Sequence, residues 1–478
     1  MTGRKKNTVQ RTLVSINRRT FIQVTALLAA LLLAAVALTF IVPRGEFGVL
    51  PDGGPDYTQY IPRPDRPGIA LWRGLLAPVL VFFSADGLTL FMLSLFLFII
   101  SAAFQVMNDV GGVDALVGAV SERFRSRKKL LLALVSFLFY CFGSFLGLFE
   151  EMLTMLPIVA ALCVLMGYDS FTGFLCSIIA CGFGFAGAIT NPFTVLLASQ
   201  IIGVNPMEHI WLRVLVFLVM FCLFLGYLFL YLCRLERDPE SSLTKAHDAM
   251  LRDWEPDKAD RQGSKKRVRR IYAAFLLTAL ALIIVSSLSE VLRAYSVPIL
   301  IVYFLIFGIV AGILACGRAK TVLCSFGRGI LGALPTLVFI ALAATIKFVF
   351  DEGGIMPTIV SRINLLAEEG SAFGNAVAVY LIVLLLEFFI SSSTAKAILV
   401  MGLLSVLNIG LSKPLLVLLY TFGDGYTNVL FPTSPVLLIS LSMIQVDYLT
   451  WIKKSFPLFL LNFLLVIGFI WLAVTVHY

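Results

Sequence analysis

Apolar runs long enough to cross a bilayer recur along this chain, and two of them are broken in the middle by residues that stop a helix. Residues 21–42, 88–107, 212–233 and 297–316 are unbroken runs. Each supplies about the 20 residues that an α-helix needs to span a hydrocarbon core of roughly 30 Å. The first broken run contains Gly182-Phe-Gly-Phe-Ala-Gly-Ala-Ile-Thr-Asn-Pro-Phe-Thr194, and the second contains Phe422-Gly-Asp-Gly-Tyr-Thr-Asn-Val-Leu-Phe-Pro-Thr-Ser434. Backbone that leaves the helix at membrane depth must be covered by protein or face a watery cavity. A matched pair of such breaks in two halves of a membrane protein points to the binding site of a transporter. The expected fold class is therefore an all-α polytopic membrane protein.

Charge and composition exclude several other classes. The chain is 59% hydrophobic and only 14% charged, where a soluble domain carries about 25% charged residues. The net charge of +9 is gathered in Arg4, Lys5, Lys6, Arg11, Arg18 and Arg19, in Arg123, Arg125, Arg127, Lys128 and Lys129, and in the loop 234–270. Positive loops mark the cytoplasmic side, so this pattern predicts a cytoplasmic N-terminus and no nucleic-acid partner. The first span is too long for a cleavable signal, and Pro43-Arg-Gly-Glu46 follows it where small cleavage-site residues would stand. The eight Cys lie in spans or beside cytoplasmic loops, with no CxxC, so neither disulfides nor a zinc site is expected. His209, His247 and His477 fall outside the proposed core, and there is no HExxH or Walker sequence. The chain is expected not to be an enzyme, to need no cofactor, and not to be driven by ATP on its own.

Topology follows from the basic N-terminus, 1–20. The first half covers 21–233, a basic cytoplasmic linker covers 234–270, and the second half covers 271–478. Span 21–42 leads to a polar external loop, 43–72; residues 75–87 form a short re-entrant or interfacial piece; span 88–107 returns. The stretch 130–166 is interrupted at Gly143-Ser-Phe-Leu-Gly-Leu-Phe-Glu-Glu-Met152. Two crossings or a re-entrant hairpin both fit. Arms of about 16 residues fall short of the roughly 20 a crossing needs, which favours the hairpin. The broken span 171–202 and span 209–233 complete this half. In the second half, spans 271–288, 297–316 and 330–350 precede a second hairpin, 373–410, interrupted at Glu387-Phe-Phe-Ile-Ser-Ser-Ser-Thr-Ala-Lys396. The broken span 415–444 and span 456–476 follow. Span, hairpin, broken span and span thus occur twice, entered from opposite sides. That is an inverted repeat of about nine full spans plus two hairpins, the arrangement of alternating-access carriers.

Charged groups at bilayer depth cost at least about 2.5–3.5 kcal/mol each and usually face a cavity. The candidates are Glu150, Glu151, Glu387, Lys396 and Asp424; Lys347 lies near a span end, where snorkelling explains it more cheaply. Glu150 and Glu151 hinder each other's ionisation, which suits a cation contact or a proton-coupling carboxylate; capping a helix N-terminus is the structural alternative. Asp424 suits a substrate ammonium or a coupling cation, or a hydrogen bond to freed backbone N–H groups. Thr190, Asn191, Thr427 and Asn428 offer oxygens suited to Na⁺, and they also serve the broken backbone. Ser391, Ser392, Ser393 and Thr394 exceed what a helix cap needs, so Ser392, Ser393 and Thr394 join the expected substrate contacts with Asn191, Thr194, Asn428 and Thr433. Lys396 is either an ion-pair partner of Glu387, the favoured reading, or an anchor for a substrate carboxylate. The excess of acid over base in this core suits a cationic or zwitterionic solute.

At four places the chain resembles the YfcC-like branch of the DcuC family, the C4-dicarboxylate anaerobic carriers. These are Gly147-Leu-Phe-Glu-Glu-Met152 with Pro157, Ala188-Ile-Thr-Asn-Pro-Phe-Thr194, Ser391-Ser-Ser-Thr-Ala-Lys-Ala397, and Phe422-Gly-Asp-Gly-Tyr-Thr-Asn428 with Pro432-Thr-Ser434. The resemblance implies membership of the ion transporter superfamily, two inverted repeats with re-entrant hairpins, an elevator mechanism, and often a homodimer. YfcC-like members are commonly labelled basic amino acid antiporters. Superfamily carriers for dicarboxylates place small hydroxyl and amide residues at both hairpin tips, whereas the first tip here carries Glu150 and Glu151. The expected function is a secondary transporter of a small amino-acid-like solute in a bacterial inner membrane, a basic amino acid being favoured, by exchange or by Na⁺ or H⁺ coupling. A C4-dicarboxylate carrier is the alternative; an ion channel or an intramembrane enzyme is the reading from another class.

Overall fold

The computed structural model describes residues 18–49, 55–63, 68–124, 126–252, 262–288, 292, 295–364, 371–390, 393–406 and 410–478. The basic residues Arg4, Lys5, Lys6, Arg11 and Arg125 lie outside the described residues, as do Ser391 and Ser392, and the side chain of Thr394 is not described. Among the described residues, nine helices are long and apolar enough to cross a membrane: Phe21–Ile41, Gly87–Asp109, Lys128–Leu146, Ile210–Arg237, Lys265–Ser286, Val297–Cys316, Ala319–Gly353, Ala372–Phe389 and Tyr448–Thr475. Their outer faces expose large apolar side chains such as Leu33, Leu230, Phe456, Leu464 and Trp471, a surface that suits lipid rather than water. The chain is a mostly helical, multi-pass membrane protein.

The helices sort into two packed groups, each drawn from both ends of the sequence. In one, Gly87–Asp109 lies against Ser296–Cys316 and Ala319–Gly353, with Arg18–Ile41 on the outside. Small residues let these helices touch: a Cβ on Gly329 would stand 2.4 Å from the Cα of Ala102. In the other, both hairpins surround both broken helices, and Ile210–Arg237 and Tyr448–Thr475 close the outside. The arms of each hairpin pack chiefly on a broken helix rather than on each other.

Three segments differ from the expectations above. The external loop is not purely irregular and the chain is not purely α: Gly45–Val49 pairs antiparallel with Pro55–Pro62, Gly45 opposite Pro62. Tyr60 and Ile61 favour strand, and Tyr60 Oη meets Thr358 Oγ1 at 2.8 Å, fixing the strands to the helix Met356–Asn364. The span expected at 330–350 is the longer helix Ala319–Gly353, because its polar ends are neutralised rather than excluded. Arg328 pairs with Asp109 at 2.8 Å, and Lys347 pairs with Asp86, which replaces snorkelling as the account of Lys347. The first hairpin has unequal arms, not two of about 16 residues: Lys128–Leu146 has 19 residues and is long enough to cross, while Leu156–Leu165 has 10, the two joined through Gly147 at φ 66° and a short 3-10 turn, Glu150–Thr154.

The linker is strapped to the start of the first broken helix. Asp169 caps that helix, accepting from Thr172 N at 2.8 Å, and also accepts from Ser242 Oγ at 2.8 Å and Tyr231 Oη at 2.5 Å. Asp248, on the linker helix Lys245–Arg252, accepts from Ser170 N at 3.1 Å and Thr244 Oγ1 at 2.6 Å. Two carboxylates thus sit at the positive end of one helix. Burial pushes the Asp248 carboxyl above its usual range, against the bonds from Ser170 and Thr244. A carboxyl raised in the folded state stabilises most when protonated, so its contribution is lost as pH rises from the carboxylate range through the raised value. Limited proteolysis of the linker is expected to be slower at about pH 4 than at about pH 7, and Asp248→Asn should flatten that difference. Equal cleavage rates in the native protein at both pH values would refute the strap's titration.

Candidate functional site

The two breaks meet in the middle of the hairpin group. The first broken helix runs Ser170–Ala186, leaves helical geometry at Gly187, and resumes at Pro192–Ile202. The first hairpin supplies the bonds the break has lost. Ser144 Oγ donates to Gly187 O at 2.8 Å, Ser144 O accepts from Ile189 N at 3.2 Å, and Thr190 Oγ1 donates to Phe145 O at 3.3 Å. Asn191 restarts the helix: its Oδ1 accepts from Phe193 N at 2.9 Å and Thr194 N at 3.3 Å, while its Nδ2 donates to Gly143 O at 3.0 Å. This is how irregular backbone survives at membrane depth, with its polar groups paired inside protein.

The second broken helix runs Lys413–Gly425, tightens into a 3-10 turn at Tyr426–Val429, and resumes at Pro435–Met443, capped by Ser434. Thr427 Oγ1 donates to Gly423 O at 2.8 Å and Asn428 Nδ2 to Asp424 O at 2.7 Å. Trp451 Nε1 donates to Val429 O at 3.0 Å, and Tyr448 Oη to Leu430 O at 2.9 Å. A Cβ on Gly425 would stand 2.2 Å from Ala186 Cα, and one on Gly182 would stand 2.4 Å from Val429 Cγ1. The breaks are therefore in van der Waals contact with each other.

Beside this junction lies a buried charge cluster assembled from three helix ends. Glu387 is in the last turn of Ala372–Phe389, Asp424 is in the last turn of Lys413–Gly425, and Lys396 is in the first turn of Ser393–Val406. All three are buried, Lys396 and Asp424 with no exposed surface. Lys396 Nζ contacts Glu387 Oε2, lies 2.6 Å from Asp424 Oδ1, and donates to Ile390 O at 3.3 Å. Ser393 Oγ donates to Asp424 Oδ2 at 3.0 Å, and Tyr420 Oη donates to Ser393 O at 2.6 Å. Unpaired burial of such charges is prohibitive, so the pairing is what lets them stay. An open cavity of about 550 Å³, lined by Arg44, Lys347, Asp351, Glu352 and Met356, reaches Ile390. Its wall is thus one hydrogen bond from Lys396.

The expected site residues divide. Asp424 and Ser393 join Lys396 and Glu387 in one cluster, and Lys396 pairs with both acids, not with Glu387 alone. Thr427 and Asn428 lie on the same break but donate to its own carbonyls, whereas Thr190 and Asn191 donate to carbonyls of the first hairpin arm, Phe145 O and Gly143 O. Thr194 is buried, and its hydroxyl has no hydrogen-bond partner among the described residues. Thr433 is buried after the second break. Glu150 is exposed and Glu151 buried at the start of the 3-10 turn, and no hydrogen bond or ion pair among the described residues ties either to the cluster. Ser392 lies outside the described residues, and the Thr394 side chain is not described.

Two polar residues escape a reading of the sequence. Tyr420 stands one helical turn before Asp424, with its hydroxyl 3.5 Å from Asp424 Oδ1; the i, i+4 spacing is the signal that it shares a face. Arg213 is buried, donating to Pro206 O at 2.6 Å and Ile189 O at 3.5 Å and from Nε to Tyr478 Oη at 3.1 Å. Among the described residues it has no carboxylate partner. Its place near a span start hides it among residues that reach water.

A family model described as C4-dicarboxylate anaerobic carrier matches residues 23–475. The chain is 27% identical over 402 residues to the Escherichia coli (strain K12) protein named "Putative basic amino acid antiporter YfcC", covering 80% of this chain and 78% of that one. It is 24% identical over 390 residues to an uncharacterized protein of Haemophilus influenzae, covering 80% of this chain and 74% of that one. Among solved structures it aligns with the Alcanivorax borkumensis YdaH transporter at TM-score 0.44 and 15% identity, over 95% of this chain and 99% of that chain. It aligns with Neisseria gonorrhoeae MtrF at TM-score 0.42 and 14% identity, over 94% of each.

Proposed function

Because this chain belongs to the DcuC family, the C4-dicarboxylate anaerobic carriers, we propose that it is a secondary carrier for a small cationic or zwitterionic solute, a basic amino acid in the first instance. The observation that carries this reading is the buried cluster beside the junction of the breaks, with two carboxylates, Glu387 and Asp424, against one ammonium, Lys396. A surplus of buried acid is a site for a cation. The name of the Escherichia coli relative supports the same solute class. The solute is held where the hairpins meet the breaks, Asp424 and Ser393 facing its ammonium. The packing of the helices into two groups supports an elevator-type movement of the hairpin group against the other, on an inverted repeat.

The family's own description favours a second reading, a dicarboxylate, and Arg213 is the residue that speaks for it: a buried guanidinium without a carboxylate partner among the described residues, against the first break. An uptake screen in proteoliposomes separates the two, with labelled arginine, ornithine, dipeptides and succinate, varying Na⁺ and pH independently. Saturable arginine or ornithine uptake with counterflow is expected. Asp424→Asn should reduce it about thirtyfold or more, since truncating one partner of a buried charge pair costs about 2–5 kcal/mol. Saturable succinate uptake with none of the cations would replace the basic-solute reading by the dicarboxylate one.

A further inference from the structure

The charge cluster is short of one positive charge, and its surroundings deepen the deficit. Both acids stand at helix C-termini, where backbone carbonyls add negative potential, while one helix N-terminus and one ammonium oppose them. The two acids are not equivalent. Asp424 accepts from the Ser393 hydroxyl, lies 2.6 Å from Lys396, and has the Tyr420 hydroxyl 3.5 Å away, so its charge is well supported. Lys396 is the one polar partner of Glu387 among the described residues. Other ionisable groups leave this difference intact. Tyr380 on the same arm bonds to Tyr426 at 2.8 Å, and Phe463 of the helix Tyr448–Thr475 packs on Tyr380. The helix Ala319–Gly353 brings Phe350 against Phe389 and keeps Lys347, Asp351 and Glu352 on the cavity wall, with Arg44, Glu46 and Arg63.

We propose that Glu387 is the proton-binding group of this carrier, taking up one proton when the cationic solute leaves and releasing it when the next one binds. The inference rests on the cationic-solute reading above and names its counter-cargo. With a monovalent ammonium bound, the two carboxylates face two positive charges. With the site empty and Glu387 ionised, the cluster carries a net negative charge that must cross the membrane interior uncompensated. Protonation of the Glu387 carboxylate, the O–H bond forming with a proton from water on the side where the solute departs, restores neutrality for the return. On the far side the arriving ammonium makes the ionised form favourable again and the proton returns to water. The cycle exchanges one monovalent cation for one proton. Lys396, tethered between the acids, keeps the deficit at one charge instead of two.

Two measurements on the purified full-length protein test this. In the first, infrared difference spectra between acidic and neutral pH are recorded in lipid with no solute present. A protonated-carboxyl band should vanish in Glu387→Gln and persist in Glu150→Gln; a band unchanged in Glu387→Gln overturns the proposal. In the second, vesicles loaded with a pH-sensitive dye receive labelled ornithine. Ornithine entry should be accompanied by proton exit. Glu387→Gln should slow ornithine counterflow, and should reduce accumulation driven by a gradient of about one pH unit by a further factor of about ten, the ratio that exchange for one proton sustains, while Glu387→Asp should restore the pH-driven part. Equal losses of both activities in Glu387→Gln would make the residue merely structural and overturn the proposal. If no basic solute moves in the native protein, the solute assignment fails, while the infrared band still decides the proton site.

Discussion

Gly425→Ala is expected to abolish solute flux and to lower stability by at least about 1–3 kcal/mol, the usual cost of forcing atoms into a packed interior. The new methyl carbon would stand 2.2 Å from Ala186 Cα, 2.4 Å from Ala186 N and 2.7 Å from Ala186 Cβ. Two of those atoms are backbone, so no side-chain rotation relieves the clash. The breaks would have to separate, and the packing of Gly182 against Val429 across the same contact would be lost with it. Gly425 has φ −66°, so the requirement is for space and not for an unusual backbone. Gly226→Ala is the matched control. It lies in the helix Ile210–Arg237 with nothing within 4 Å of its added carbon, and should be neutral or slightly stabilising, as alanine is in a helix. Thermal melts in detergent and flux in vesicles read both variants. Native flux in Gly425→Ala would mean that contact between the breaks is not needed for transport.

The same contact shows what a sequence exposes and what it hides. Gly, Asn and Pro at 187–192 are local instructions to leave a helix, and the structure obeys them within a few residues. The interruption from Glu387 to Lys396 is local too, and the first arm ends at Phe389. Partnership is another matter. Nothing in the string links Gly425 to Ala186 or Asp248 to Ser170, because these depend on how distant segments pack. Lys396 allowed two readings, and only packing reveals that it serves two acids at once. Arg213 and Lys347 were hidden by their position near span ends, where a window of hydropathy cannot tell a group that reaches water from one held by Ile189 O or by Asp86. The strands at Gly45–Val49 and Pro55–Pro62 escaped because Pro and Gly dominate that loop, and it is the helix Met356–Asn364, far along the chain, that holds them.

Lys396→Met should be the most destabilising single change in the charge cluster, by about 3–5 kcal/mol, the cost of breaking a buried pair by removing one partner. The asymmetry comes from counting. Glu387→Gln leaves Lys396 with Asp424, one charge against one. Asp424→Asn leaves Lys396 with Glu387, again one against one. Lys396→Met leaves two carboxylates with no cation, both in helix-terminal positions that disfavour negative charge. The effects must therefore be non-additive, since the three residues form one network. Adding Glu387→Gln to Lys396→Met should recover part of the loss, and adding Asp424→Asn as well should recover most of it, because an uncharged cluster of similar volume carries no desolvation penalty. Melting temperatures of the detergent-purified single, double and triple variants, compared in one buffer, give the coupling directly. If the triple variant is less stable than Lys396→Met alone, the cluster is held by shape and hydrogen bonding, and the charge surplus on which cation binding depends is not present in the folded protein.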